Sequence, residues 1–364
     1  MAAGGTGGHI YPAIAVAEEV GQRLAGAKVV FVGTSLGLEK ELIPKLGYDL
    51  HLLSARPFPK AIFNPASALA AVAALVSSLR ALMLLKKLKP VLVLSIGGYA
   101  SVPVVWASHT LNIPVVILEP NSIPGRANRK LAKWADAICV AFKSAMRFFK
   151  DNVNYTGMPV RRQFKTLTRE RARDLLVVGD EILMLLVFGG SKGARRLNMA
   201  LWETLEKLLL GEPRLIIHHI CGIHGWNEAQ AILRNLPSAL RQRYFVRPYR
   251  DDMPVLIHAS DIAVSRAGAS SIAELLVAGV PSILVPYPYA MDDHQRYNAL
   301  EVERAGAAVV VPDGEFDGEL LYQLLSQLIA CKHLLNKMRE AALSIAMPDA
   351  AERVTNIALG IARL

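Results

Sequence analysis

The sequence predicts an α/β protein built from two doubly wound parallel sheets. Three observations carry that expectation. Short, near-continuous apolar runs alternate with amphipathic stretches, as strands buried on both faces require. A glycine-rich loop precedes a helix once in each half, Gly4–Gly8 opening the first and Gly189–Ala194 following the first run of the second. The chain has 364 residues, more than one hydrophobic core usually organises, so two domains are expected.

The strand-like runs of the first half are Lys28–Val32, Val91–Ser95, Val115–Leu118 and Ala137–Val140. Those of the second are Ile182–Phe188, Leu215–Ile220, Asp261–Ser265 and Ser282–Val285. The pattern breaks at Tyr155–Arg162, where Gly157 and Pro159 punctuate the chain before a charged stretch. A first domain is therefore placed over 1–156 and a second over 157–345. The chain enters its first glycine loop after three residues, and no signal peptide is read there.

Hydrophobic residues make up 52% and charged residues 20%, which excludes a disordered chain or a coiled coil. Lys and Arg number 41 against 31 Asp and Glu, a net charge of +10 that suits polyanionic company. Aromatics are 7% and interleave with no basic run, so nucleic acid is the poorest candidate, behind an anionic membrane face or phosphorylated substrates. Cys139, Cys221 and Cys331 have no ligand spacing and read as reduced core thiols.

The first loop fails as a dinucleotide site. Gly5-x-Gly7-x-x meets Ile10 where the third glycine belongs, and the second run, Phe31-Val32-Gly33-Thr34, ends without the ribose-binding acid. No Walker loop occurs. His9, where the loop becomes a helix, suits two roles: a neutral base for an attacking hydroxyl, or a plain backbone hydrogen bond. Ser265–Glu274 reads as strand, turn and helix start, in which Ser271 and Glu274 form a capping box or else Glu274 accepts from sugar hydroxyls. Asp251-Asp252 beside Pro254 reads as a solvated turn with a helix cap. Asp292-Asp293 would suggest a metal, but with no Asp-x-Asp element in the chain ligand recognition fits better. Glu119-Pro120-Asn121 with Pro124-Gly125 reads as a turn or as polar groups carried to a ligand. Ala66–Leu85, with Leu69, Val72, Val76, Leu79 and Met83 in helical register before Lys86, Lys87 and Lys89, reads as a core helix, as an interfacial helix on anionic lipid or, least well because Arg80 and three serines interrupt it, as a membrane span.

Taken in order, these motifs resemble the MurG family of peptidoglycan glycosyltransferases. The residues are Gly4–Ala13, Gly97-Gly98-Tyr99, Glu119 and Asn121 before Pro124-Gly125, Gly157, and Pro159-Val160-Arg161. They continue with Gly189-Gly190-Ser191, Gly193-Ala194, Asp251-Asp252-Met253, Ser265–Glu274, and Gln295 with Asn298-Ala299. The resemblance implies a GT-B fold, two Rossmann-like domains facing across a cleft, with a C-terminal helix over 346–364 packing back on the first. It implies inverting transfer of N-acetylglucosamine from UDP-N-acetylglucosamine to the 4-hydroxyl of undecaprenyl-pyrophosphoryl muramoyl peptide, lipid I. That activity belongs to cell-wall synthesis at the cytoplasmic face of the bacterial plasma membrane, in reach of division proteins, with no cofactor or metal.

By the same resemblance the donor is held by Thr6, Gly7, Gly8, Asn121, Arg161, Ser191, Ala269, Ser270, Ser271, Glu274 and Gln295. Arg250 stands where the family commonly has an apolar residue. His9 is the implied base, and Tyr99 and Asn128 lie on the acceptor side. Pro120, Met158 and Lys192 replace the family's usual Gln, Asn and Gln. A strand normally precedes the first loop; with only Met1-Ala2-Ala3 there, its loss is expected, as from a misplaced start, and His9 is left without its support. Rival readings are a UDP-N-acetylglucosamine 2-epimerase, a lipid glycosyltransferase, or an inactive donor-binding protein.

Overall fold

A computed structural model of the chain describes residues 1–5, 7–35, 37–53, 65–190 and 193–364, with side chains from residue 73 onward in the helix Pro65–Leu88. It divides into two compact units, one formed by Met1–Arg161 with Asp349–Leu364 and the other by Arg162–Pro348. The break thus follows Arg161, not residue 156, and Arg161 belongs to the first unit.

The first unit is a parallel sheet of β1 (Ala2–Ala3), β2 (Val30–Thr34), β3 (Asp49–Leu53), β4 (Val93–Gly97), β5 (Val115–Glu119), β6 (Ala137–Val140) and β7 (Val153–Tyr155), in the order β3-β2-β1-β4-β5-β6-β7. The central strand expected to be lost is present, reduced to two residues. Ala2 pairs with Val32 on one side and Ser95 on the other, and Ala3 pairs with Gly97. The Val32 amide adds a 2.8 Å bond to the Met1 carbonyl. Successive strand residues face opposite sides, so even this short strand joins both cores. Ala3 packs among Ile10, Ile14 and Leu118 under the helix Gly7–Arg23, with Val354 and Ala358 of the helix Ala350–Ala362. Ala2 packs with Ala81, Leu85, Val104 and Val105 on the other face.

The second unit repeats the plan with β8 (Leu183–Phe188), β9 (Leu215–Ile220), β10 (Tyr244–Arg247), β11 (Ile262–Ser265), β12 (Ser282–Leu284) and β13 (Ala308–Val310), in the order β10-β9-β8-β11-β12-β13. A buried polar chain runs through its core. Trp202 Nε1 donates to the Tyr244 hydroxyl at 3.0 Å, and His219 Nδ1 lies 2.8 Å from the same hydroxyl. His219 Nε2 is 2.9 Å from Asn198 Oδ1, while Asn198 Nδ2 donates to the Cys221 carbonyl at 2.9 Å. With the Asn198 oxygen facing the ring, Nε2 carries the hydrogen and Nδ1 accepts from Tyr244.

Burial pushes His219 down to about 3. The folded state therefore binds fewer protons than the unfolded chain between that value and the free histidine value of about 6.5, so this contribution is full above pH 6.5 and is lost as pH falls. Denaturant titrations should lose about 2 kcal/mol of stability to His219 between pH 7.5 and pH 5. His218, pushed down to about 4 by burial, adds with the same sign. H219Q should flatten the profile; an unchanged slope would contradict the assignment.

Two expectations need correction here. Cys331 is exposed, not a core thiol. In the helix Pro65–Leu88 the stripe Val76, Leu79 and Met83 faces solvent, while Ser77, Ala81 and Leu85 face inward. The inward positions recur every four residues on the opposite face, and the small Ser77 and Ala81 sit where the helix is most buried. Leu69 and Val72 lie outside the described side chains.

Candidate functional site

Open α/β sheets place ligands at the carboxyl ends of their strands, where the strand order reverses. In the first unit that point lies between β1 and β4, whose exits are the loops Gly4–Gly8 and Gly97–Tyr99. Gly98 has φ +83°, and a Cβ on it would stand 2.5 Å from the Gly4 carbonyl oxygen. Only glycine lets the two loops close this tightly.

His9 lies in the first turn of the helix Gly7–Arg23, with Nδ1 3.2 Å from the Gly4 carbonyl. A carbonyl only accepts, so Nδ1 carries the hydrogen and the neutral ring keeps its lone pair on Nε2. Nε2 borders Gly97, where a Cβ would lie 3.5 Å from it and 3.7 Å from Asn128 Nδ2. Both readings of His9 survive this geometry, because the backbone bond is what aims the other nitrogen.

Glu119 ends β5 and gathers the following loop around its carboxylate. Oε1 accepts from the Asn121 amide at 2.9 Å, and Oε2 from the Gly125 amide at 3.1 Å and Asn128 Nδ2 at 2.8 Å. Burial pushes this carboxyl up to about 7, against N–H donors that hold it down. Tyr99 is 48% exposed at the tip of the loop after β4. Arg161 stacks over the Tyr11 ring at 4.6 Å, on the His9 helix.

The sequence reading missed Glu39. It is fully buried and accepts from the Thr34 amide at 2.8 Å, the Thr34 hydroxyl at 2.9 Å and the Gly5 amide at 3.0 Å. A Cβ on Gly37 would fall 2.0 Å from its carboxylate, so that glycine makes room for it. The acid absent from the end of the second strand thus arrives five residues later and turns inward to the backbone, not outward to a ribose. It also takes Gly5 N from any phosphate, narrowing this loop's anion site to the helix start. The spacing Gly33-x3-Gly37-x-Glu39 after a strand was the available signal.

In the second unit the order reverses between β8 and β11. Thr6 in the first loop, and Ser191 and Lys192 in the loop after β8, lie outside the described residues. After β11 the helix Ala269–Val277 has Gly268 at its N-cap with no side-chain cap bond, so the expected capping box does not form. Capping one residue before Ala269 puts Ser270 and Ser271 in the first turn. Glu274, buried, stands four residues after Ser270 on the same face. Buried Ala269 begins the helix, whose N-terminus presents the positive end of its dipole.

Around that start Arg266 donates to the Val285 and Pro286 carbonyls at 3.1 and 3.2 Å and pairs with Asp313 at 2.5 Å. Gln295 accepts the Tyr287 amide at 3.0 Å through Oε1, leaving Nε2 to donate. Asn298 Nδ2 reaches the Ala267 carbonyl at 3.4 Å. Asp252 stands at the N-cap of the helix Met253–Ala259 but makes no cap bond; Arg250 grips its carboxylate through Nε at 2.7 Å and through Nη2. The side-chain bond from Arg250 holds Asp252 below the usual carboxylate range. The cap expected there is replaced by an ion pair, which takes up the Arg250 side chain.

Paired Rossmann units, each with a glycine loop and a helix start at its switch point, are the architecture that two-domain glycosyltransferases share with sugar-nucleotide epimerases. The patterns described as "Glycosyltransferase family 28 N-terminal domain" and "Glycosyltransferase family 28 C-terminal domain" match residues 1–140 and 184–354. A "UDP-N-acetylglucosamine--N-acetylmuramyl-(pentapeptide) pyrophosphoryl-undecaprenol N-acetylglucosamine transferase" of Desulforamulus reducens is 37% identical over 95% of this chain and 94% of its own. The protein of that name from Carboxydothermus hydrogenoformans is 38% identical over 98% and 95%. The crystal structure of Acinetobacter baumannii MurG superposes with a TM-score of 0.75 at 29% identity, covering 99% of this chain and 98% of that one. The chain belongs to the MurG family of glycosyltransferases. A UDP-GlcNAc 2-epimerase from Neisseria meningitidis shares the fold alone, at 17% identity and a TM-score of 0.68 over 99% of each chain.

Proposed function

We propose that this protein transfers N-acetylglucosamine from UDP-N-acetylglucosamine to the muramoyl 4-hydroxyl of lipid I, with inversion and in one displacement. The observation that carries the reading is full-length kinship with transferases of that name, together with a histidine whose lone pair is aimed by its own loop. His9 Nε2 takes the hydroxyl proton as oxygen attacks the anomeric carbon, and UDP departs from the opposite face. The second unit supplies the donor side. The first amides of the helix Ala269–Val277, with Ser270 and Ser271, stabilise the diphosphate charge as it develops. Glu274 accepts from ribose hydroxyls, Gln295 donates to the sugar, and Ser191 and Arg250 are further donor contacts. Gly7, Gly8, Asn121 and Arg161 add contacts from the first unit, as does Thr6.

An epimerase of the same fold turns over the donor alone. Labelled UDP-N-acetylglucosamine should therefore stay unchanged until a lipid I analogue is added; conversion without acceptor would favour the epimerase reading.

The acceptor's membrane is met by the helix Pro65–Leu88. Leu75 and Met83 are 59% and 63% exposed on it, and Lys86, Lys87 and Lys89 follow at its end. Among the described residues no helix is long and apolar enough to cross a membrane. Binding is peripheral, apolar contact steered by charge. Each lysine contributes about 1 kcal/mol on an anionic surface. Binding to anionic liposomes should weaken with salt and with K86A/K87A/K89A, whereas salt-insensitive binding would point to apolar insertion alone.

A further inference from the structure

Gln295 lies in the first turn of the helix His294–Arg304, with Oε1 3.0 Å from the Tyr287 amide. A backbone N–H only donates, so the end of the side chain facing Tyr287 is the oxygen, and both hydrogens sit on the other end, Nε2. The direction of the Tyr287 amide therefore decides which end of Gln295 is left for a ligand. Two turn bonds, from the Ala290 amide to the Tyr287 carbonyl and from the Asp293 amide to the Ala290 carbonyl, are internal to this segment. It enters the helix through Asp292 and Asp293 at φ +52° and +54°, a left-handed pair that costs energy and does not hold itself.

The anchor comes from the neighbouring strand. Arg266 leaves β11 with its side chain 12% exposed and donates through Nη1 to the Val285 and Pro286 carbonyls at 3.1 and 3.2 Å. The Pro286 carbonyl and the Tyr287 amide are the two ends of one planar trans peptide and point in opposite directions. Holding the carbonyl on Arg266 thus aims the N–H at Gln295. The flat guanidinium also lies over the Tyr287 ring, 5.6 Å from its centre. Asp313 balances the charge, and Arg196 secures that loop through the Asp313 and Gly314 carbonyls at 2.9 and 2.7 Å. We propose that Arg266 is a positioning residue for the donor sugar, acting through the Pro286–Tyr287 peptide to set Gln295 with its N–H groups toward the ligand. The assignment rests on the reading of Gln295 as a sugar contact given above and adds the residue that orients it.

The test compares equilibrium binding of UDP-N-acetylglucosamine with that of UDP, which lacks the sugar. R266M should bind the nucleotide sugar about 10-fold more weakly, the worth of one hydrogen bond, and UDP as the unaltered protein does. Q295A should show the same selective loss, and R266M/Q295A should be no weaker than Q295A, because both changes remove one contact. A role in the fold alone would weaken both ligands together, and its loss would multiply with that of Q295A. Either result would overturn the assignment, as would Q295A binding the nucleotide sugar normally. R266K keeps the cation against Asp313 and loses the flat stack, and should show a smaller loss confined to the nucleotide sugar. Where R266M does not fold, R266K decides: equal weakening of both ligands, or none, would overturn the assignment. Transfer to a lipid I analogue is measured separately on the unaltered protein, so its absence would contradict the transferase reading while the binding comparison still judges Arg266.

Discussion

H9A should lower turnover by about 10²–10⁴-fold, the usual range for removing a positioned general base, with the affinity for UDP-N-acetylglucosamine preserved. The effect falls on kcat because the imidazole acts on the acceptor's proton, not on the donor. The fixed tautomer strengthens the expectation. With Nδ1–H spent on the Gly4 carbonyl, the ring offers one basic nitrogen in one direction. H9N, which cannot serve as a base, should be as impaired as H9A. Full turnover by H9A with normal donor affinity would remove His9 from the chemistry and leave it a loop anchor.

E39A should have the largest effect on stability among substitutions in the first loop's surroundings. It strips the acceptor from the Gly5 amide and from the Thr34 amide and hydroxyl, all in a fully buried place. Unpaired buried donors cost about 1–3 kcal/mol each, so a loss of about 3 kcal/mol or more is expected. For a unit of this size that lowers the melting temperature of the first unit by about 6–12 °C. E39Q keeps one acceptor but sets an amide hydrogen against a donor, and should fall between. Because Gly5 and His9 share the loop, E39A that still folds should lose kcat more than donor affinity. An unchanged melting temperature would show that the loop does not depend on this carboxylate.

These two residues show what the sequence made legible. His9 stands in a glycine loop at a helix start, a local pattern that reads directly. Glu39 acts across 34 residues on a backbone amide, and nothing in its own neighbourhood but two glycines announces it. The same contrast runs through the fold. The strands β6 and β8 are continuous apolar runs, as is β5 up to Glu119, and their reading needed no pairing partner. The strands Asp49–Leu53 and Tyr244–Arg247 end their sheets; the first is mostly exposed or half-buried and the second alternates buried with exposed, so a search for continuous runs passes over them. Ala2–Ala3 is too short for any periodicity; it is a strand only because β2 and β4 pair with it. The Ser271–Glu274 box followed its motif, but the helix begins at Ala269 and Gly268 takes the cap. Arg266 was legible as part of a motif and not as the clamp across β11, β12 and Asp313.

The most direct test of the central claim is the stereochemistry of transfer by this 364-residue chain. UDP-N-acetylglucosamine carries its sugar in the α configuration, and a short-chain lipid I analogue serves as acceptor. The anomeric proton coupling of the disaccharide product is read by NMR. A single displacement driven by His9 predicts a β-linked product from the α-linked donor. An α-linked product would require two displacements or front-face departure and would contradict the account, as would donor binding with no transfer at all.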